Sequence, residues 1–245
     1  MEQYEIFSIL DSVDSTNNYA MAQVRAGLAS HGRAWFAHNQ TAGKGQRGKG
    51  WQSNPGDNIL LSILIKPSER TDPNRFIFNA AIALTCIRFL HSLTTISFNI
   101  KWPNDIYWND RKAGGILIEN IIQGNQWKWS VIGIGINVNQ TLFTSITGNP
   151  VSLKNITGRS FDTIALAKLL HTTILESIDQ NKMSPVKIMQ DYNSLLYKKD
   201  VEIQLRKNNV VFKTYIKEVD EFGRLLTHDE INRSFISGEV EWIIP

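Results

Sequence analysis

The chain has 245 residues, 42% of them apolar and 20% charged, which excludes intrinsic disorder and allows a sizeable core without covalent staples. A net charge of +3 is too mild to mark a nucleic-acid binder by itself. The one cysteine, Cys86, excludes an internal disulfide framework, and the five histidines form no i,i+4 pair that would suggest a histidine-rich metal site.

The opening MEQYEIFSIL has no basic segment leading into a long apolar stretch, so a signal peptide is not expected, and residues 2–10 read as a strand. Asp14 and Ser15 offer a helix N-cap before TNNYAMAQVRAGLA. RAWFAHNQ (33–40) reads as a strand, TAGKGQRGKG as a loop, and NILLSILIK (58–66) as a strand buried on both faces. Asp72-Pro73 starts a helix whose Phe76, Ile77, Ala80, Ala81, Leu84 and Ile87 form one core-facing stripe. Its apolar part, 77–90, is interrupted by Asn79 and Arg88 and is read as too short to span a bilayer, so no membrane association and a cytoplasmic location are expected. Strands at 97–101 and 105–108 flank a Pro-Asn-Asp turn, and 115–122 and 127–138 make a hairpin across Gly124-Asn125. Residues 140–160 read as loop, followed by helices at about 161–180 and from Ser184-Pro185 to about 197. Short strands at 201–206, 210–219, 224–228, 233–237 and 239–244 fit a small β-barrel appended to an α+β domain. The expected domains are 1–197 and 198–245.

Five segments carry chemistry. Gly43, Gly45, Gly48 and Gly50 alternate with Lys44, Arg47 and Lys49, with no acid between 39 and 51. Glycine lets backbone N–H groups approach an anion closely, so this segment is either a cationic anion cradle or a flexible surface loop. GKGQRG matches the dinucleotide pattern G-x-G-x-x-G, but GWQSNPG follows it rather than a helix. The same segment nearly matches the Walker pattern, but Gly50 stands where a Ser/Thr is required. Three cations make only a small patch for nucleic acid. DSTNN (14–18) is a cap or a set of polar ligand contacts at the positive end of a helix. KWPND (101–105) is a capped hairpin turn or part of a site. In RKAGG (111–115), Lys112 precedes the pair Gly114-Gly115 and either ends a strand in solvent or reaches into a cleft. In GIGIN (133–137), Gly133 and Gly135 share one strand face, so a bulge or a close approach to the backbone is expected there.

In order, DSTNN, QTAGKGQRGKGW, KWPNDIYW, DRKAGGILIE and VIGIGINVN resemble the catalytic domain of the biotin–protein ligases (biotin–[acetyl-CoA-carboxylase] ligases), and 198–245 resembles that family's small C-terminal domain. The resemblance implies a mixed β-sheet with flanking helices of the class II aminoacyl-tRNA synthetase type, plus a small barrel of the Src-homology-3 type. It implies that biotin and MgATP give biotinyl-5′-AMP and pyrophosphate. The biotin then passes to a lysine of a biotin carboxyl carrier protein, a subunit of acetyl-CoA carboxylase or of another biotin-dependent carboxylase. Ser15, Thr16, Asn17 and Gln40 would line the biotin pocket, and Gly43, Lys44, Gly45, Gln46 and Arg47 would fold over biotin and the phosphates. Trp51 would flank the nucleotide, and Lys112, beside Gly114 and Gly115, would meet the biotin carboxylate and the α-phosphate. Gly133 and Gly135 would let biotin lie against the strand, and Asn137 would meet the adenylate. Asn104 and Asp105 would sit near Mg²⁺ or the incoming lysine, with Lys112, Arg47 and Asp105 the catalytic set. Some relatives carry arginine where this chain has Lys44 and Gln46, which leaves the fine role of Gln46 open. No DNA-binding segment precedes residue 1, so no DNA partner is expected, and a homodimer is a candidate assembly. The competing assignments are a lipoate–protein ligase and a non-catalytic, biotin-responsive regulator.

Overall fold

The computed structural model describes residues 6–67, 74–143, 149–179 and 184–243. In chain order the elements are β1 (Phe7–Val13), α1 (Thr16–Arg25), β2 (Ala34–Gln40), a short 3₁₀ turn (Gln46–Gly48), β3 (Asn58–Ile65), α2 (Arg75–Leu93), β4 (Asn99–Lys101), β5 (Asp105–Trp108), β6 (Arg111–Gln123) and β7 (Gln126–Asn137). There follow α3 (Leu153–Thr157), α4 (Thr163–Asp179), α5 (Pro185–Ser194), β8 (Glu202–Lys207), β9 (Val210–Val219), β10 (Leu225–His228), β11 (Asn232–Phe235) and β12 (Glu241–Ile243). Two compact units gather these elements: Met1–Thr71 with Arg111–Asn181, and Asp72–Asp110 with Lys182–Pro245. Each unit is thus built from two separate stretches of the chain.

In the first unit the strand order is β1-β2-β3-β7-β6. β1 runs parallel to β2, while β2-β3, β3-β7 and β7-β6 are antiparallel, so the sheet is mixed. β3 lies between β2 and β7 and is buried at every position, which explains its unbroken apolar run. β6 and β7 form a hairpin at Gly124, whose φ of 59° suits glycine. α1 packs on one face through Ala20, against Trp35, Leu64 and Val131, with Tyr19, Met21 and Val24 beside them. α4 packs against β3 and β2, and its His171 places Nε2 2.7 Å from Gly32 O. Residues 140–160 are not all loop: α3 lies within them, held by a capping box between Ser152 and Asn155. The local signal there is a single turn, too short for a hydrophobic period to reveal it.

In the second unit, α2 packs against α5, with Phe76 and Tyr192 edge to face at 5.5 Å. The side chain of Asn74 caps α2, accepting from Phe76 N at 3.0 Å; the expected start at Asp72-Pro73 lies outside the described residues. The single-stripe expectation fails. Phe78, Ile82, Ala83, Cys86, Phe89 and Leu90 are buried as well, so α2 is enclosed on most sides. Its 19 residues are also long and apolar enough, by length and composition, to cross a membrane, which corrects the expectation of a stretch too short to do so. Most of it is buried inside the protein, as in a core helix. β4 and β5 form a hairpin around the turn at 102–104. The C-terminal strands make an antiparallel sheet in the order β11-β10-β9-β8-β12. Asn193 of α5 joins it to the helices, donating to Val219 O at 2.9 Å and accepting from Val219 N at 2.7 Å.

Candidate functional site

The register of the first unit sets the floor of the site. Ser62 of β3 faces Gly133 of β7, which faces Leu117 of β6. Two residues along, Leu60, Gly135 and Gly115 make a second row on the same face. Gly114 pairs with Ile136 instead, so it belongs to the opposite face from Gly115. Trp35 and Leu64 share the face of Ser62, which is why α1 begins directly above the glycine row.

Ser15 occupies the N-cap position of α1, but its side chain makes no cap bond. Gln40, at the end of β2, does that work: its Oε1 accepts from Thr16 N at 2.8 Å and from Thr16 Oγ1 at 3.0 Å. Ser62 Oγ lies 2.8 Å from Thr16 Oγ1 and 2.6 Å from Asn17 Oδ1. Asn17 Nδ2 donates to Glu119 Oε2 at 2.8 Å and to Leu117 O at 3.3 Å. Ser15, Thr16, Asn17 and Ser62 are buried. A buried polar cluster of this kind persists only where its groups are paired, so the side chains of Thr16, Asn17 and Ser62 are held in fixed orientations. Ser62 and Glu119 were not singled out from sequence. One interrupts an apolar run and the other sits mid-strand, and only the strand register brings them to Asn17.

The two strand glycines are approached as expected, but by protein side chains. A Cβ at Gly133 would overlap the Asn17 amide, and one at Gly135 would lie 2.7 Å from the Trp51 ring. Lys112 Nζ stands 5.7 Å from the centre of that ring, and the Trp51 Nε1 is buried without a hydrogen-bond partner among the described residues. The backbone of Lys112 is fixed. Its N–H donates to Asn149 O at 3.0 Å, and its carbonyl accepts from Val151 N at 2.8 Å and from Asn137 Nδ2 at 3.2 Å. Asn137 also donates to Val151 O at 3.1 Å, so its buried amide binds the two backbones together.

The glycine-rich segment is a closed loop. Thr41 N and Ala42 N donate to Val13 O and Asp14 O at 2.9 and 2.8 Å, and Trp51 N donates to Gly43 O at 2.8 Å. Lys44 bridges to Gly50, and Gly45 N donates to Lys49 O at 2.7 Å. At the tip, the 3₁₀ turn starts at Gln46, and Arg47 takes a left-handed φ of 57°. Lys44 and Arg47 are exposed. Gly43 is where only glycine fits, because a Cβ would overlap Trp51 O and come 2.8 Å from Gln40 Nε2. At the loop base, the carboxyl of Asp14 is held below its ordinary range, first by the hydrogen bond from Asn18, with a contribution from the charge on Lys44.

Thr16, Asn17, Gln40 and Gly133 thus form one group, and Gly43, Trp51, Lys112 and Gly135 an adjoining one. Asn104 and Asp105 belong to the second unit. There the turn is gripped on both sides: Trp102 Nε1 donates to Gly223 O at 3.0 Å and Tyr192 OH donates to Pro103 O at 2.9 Å. Burial and then the Asp105 charge push the Tyr107 and Tyr192 hydroxyls well above their ordinary pKa, so both remain protonated donors.

The pattern of the biotin/lipoate A/B protein ligase family matches residues 9–137, just over half of the chain. The bifunctional ligase/repressor BirA of Escherichia coli is 34% identical over 131 residues, covering 54% of this chain and 40% of that protein. The biotin–[acetyl-CoA-carboxylase] ligase of Mycobacterium tuberculosis is 25% identical over 222 residues, 89% of this chain and 81% of that one. The chain therefore spans less than half the length of some relatives and most of others. A solved biotin protein ligase from Aquifex aeolicus, in complex with biotin and ATP, superposes with a TM-score of 0.81 at 26% identity, covering 99% of this chain and 100% of that one.

Proposed function

The chain belongs to the biotin/lipoate A/B protein ligase family, and on that premise we propose that it is an ATP-dependent biotin–protein ligase. One observation carries the proposal: a paired polar cluster at the α1 N-terminus and a lysine–tryptophan pair stand over successive glycines of one sheet face. A compact bicyclic ligand with an apolar tail needs such a site, with mostly apolar walls and a few fixed polar groups.

In the first step a biotin carboxylate oxygen forms a bond to the α-phosphorus of ATP. The bond from that phosphorus to the bridging oxygen breaks, and pyrophosphate leaves. Two anions must meet, and negative charge grows on the phosphoryl oxygens, so fixed cations aimed there lower the barrier. Lys112, on a strand with a tied backbone, supplies one; Lys44 and Arg47, on a loop that can close, supply others, with Gly45 and Gln46 in the loop backbone. Trp51 gives the nucleotide an aromatic wall, and Asn137 sets the Lys112 strand beside the adenylate. Ser15, Thr16, Asn17 and Gln40 meet the ureido ring. In the second step a neutral lysine amine of the carrier attacks the acyl carbon, AMP leaves and the amine gives up a proton. Asp105, beside Asn104, is the base.

Mg²⁺ enters as part of the MgATP substrate. Among the described residues no three His, Cys, Asp or Glu side chains converge as a cage, and Mg²⁺ commonly rests on substrate phosphates with only one or two carboxylates. The carrier is a biotin carboxyl carrier protein, the compartment the cytoplasm, and the strands after 198 act as a small barrel of the Src-homology-3 type.

The test is to incubate the chain with biotin, ATP, Mg²⁺ and a carrier domain and to weigh the carrier. A mass increase of one biotin is expected. No biotin-dependent pyrophosphate release overturns the proposal, and lipoate outcompeting labelled biotin assigns the chain to the lipoate side of its family.

A further inference from the structure

The geometry points to Glu119 as a positioning residue that sets the hydrogen-bonding polarity of the ligand pocket through Asn17; this rests on the ligase reading of the site. A carboxamide is nearly symmetric in shape, so an asparagine can present either its oxygen or its nitrogen to a ligand unless its neighbours decide. Here they decide. Glu119 Oε2 and Leu117 O, which are both acceptors, lie 2.8 and 3.3 Å from Asn17 Nδ2. An ionised carboxylate has no proton to give, so turning the amide over would set oxygen against oxygen in a buried place. The Ser62 hydroxyl, 2.6 Å from Asn17 Oδ1, supports the same orientation from the other side. Gly133 leaves room for the amide oxygen against β7.

The consequence is chemical. Both N–H groups of Asn17 are committed to protein acceptors, while its oxygen keeps a second lone pair. Asn17 can therefore only accept from a ligand, and the partner it selects is a ring N–H, as in a cyclic urea. Leu117 O holds the amide more loosely than Glu119, and a neutral carbonyl polarises it less than a charge does. Glu119 is thus the group whose loss frees the amide. Glu119 itself need not touch the ligand.

The experiment is a double-substitution cycle on the full chain, read by biotin-dependent ATP–pyrophosphate exchange. Glu119→Ala is expected to raise the biotin KM about tenfold and to change kcat at saturating biotin far less. Glu119→Gln keeps an acceptor of the same shape but can also turn over, so about a threefold rise is expected. In an Asn17→Ala background, neither change at Glu119 raises KM further. A biotin KM within twofold of wild type for Glu119→Ala overturns the inference, and so does an equal rise with and without Asn17, which would mean that Glu119 acts directly. If Glu119→Ala does not fold, the Glu119→Gln cycle carries the same decision. Should wild-type protein not use biotin at all, the ligase reading fails first, and that outcome is distinct from a wild type that works but ignores Glu119.

Discussion

On the proposed mechanism, Lys112 is the residue on which the chemistry turns. Replacing it with alanine removes a fixed cation from the growing phosphoryl charge, a loss on the order of 3 kcal/mol or 10²-fold in adenylate formation. Pyrophosphate release should fall accordingly while the unfolding midpoint stays near wild type; turnover within a few-fold of wild type would remove Lys112 from its role. Gly133→Ala acts differently. The added methyl displaces the Asn17 amide, so biotin affinity should drop about tenfold or more, measured by calorimetry. Lys112 and Gly133 stood out in the sequence because a lone lysine before a glycine pair, and glycines two apart in a strand, break local expectation. Ser62 and Glu119 did not, because their importance depends on a register between strands that are distant in sequence.

The elements around the site carry predictions of their own. The loop at 40–52 is closed by backbone hydrogen bonds but exposes its cations at a glycine-rich tip. Biotin with ATP should protect it from proteolysis, and equal cleavage with and without ligands would count against closure. α4 is tied through His171 to the Gly32 carbonyl just before β2, and burial lowers the pKa of that imidazole from 6.5. The unfolded chain then takes up a proton more readily than the folded one. Stability is complete above about pH 6.5 and declines as pH falls through the lowered folded value. A pH series of unfolding midpoints should show that decline, and His171→Gln should flatten it. Strands and long helices were legible because their periods are strong: β3, the β6–β7 hairpin and the C-terminal strands match to within a few residues. α2 misled in detail, since a helix enclosed on most sides has no single stripe to read.

At the scale of the whole chain, the second unit joins the C-terminal sheet to α2, α5 and the β4–β5 turn. Sequence suggested a cut at 198, where strands replace helices. Asn193 reaches Val219 and Trp102 reaches Gly223 across long stretches of chain, which ties those strands to α5 and the β4–β5 turn within the second unit. Ending the chain at residue 197 removes the Gly223 carbonyl that holds Trp102, and with it a restraint on the turn bearing Asn104 and Asp105. Transfer to the carrier should then suffer more than biotin binding, as a carrier-labelling assay beside calorimetry would reveal; equal loss of both would make the sheet a scaffold only.

The indole seated on Gly135 gives the protein an optical probe of its own. Its N–H has no partner among the described residues and a cationic amine lies beside its ring, so any molecule that occupies that ledge must alter the polarity the chromophore senses. A difference emission spectrum between wild type and Trp51→Phe would isolate its signal from the other indoles. Titrating biotin alone, then nucleotide, would time the arrival of each without labels.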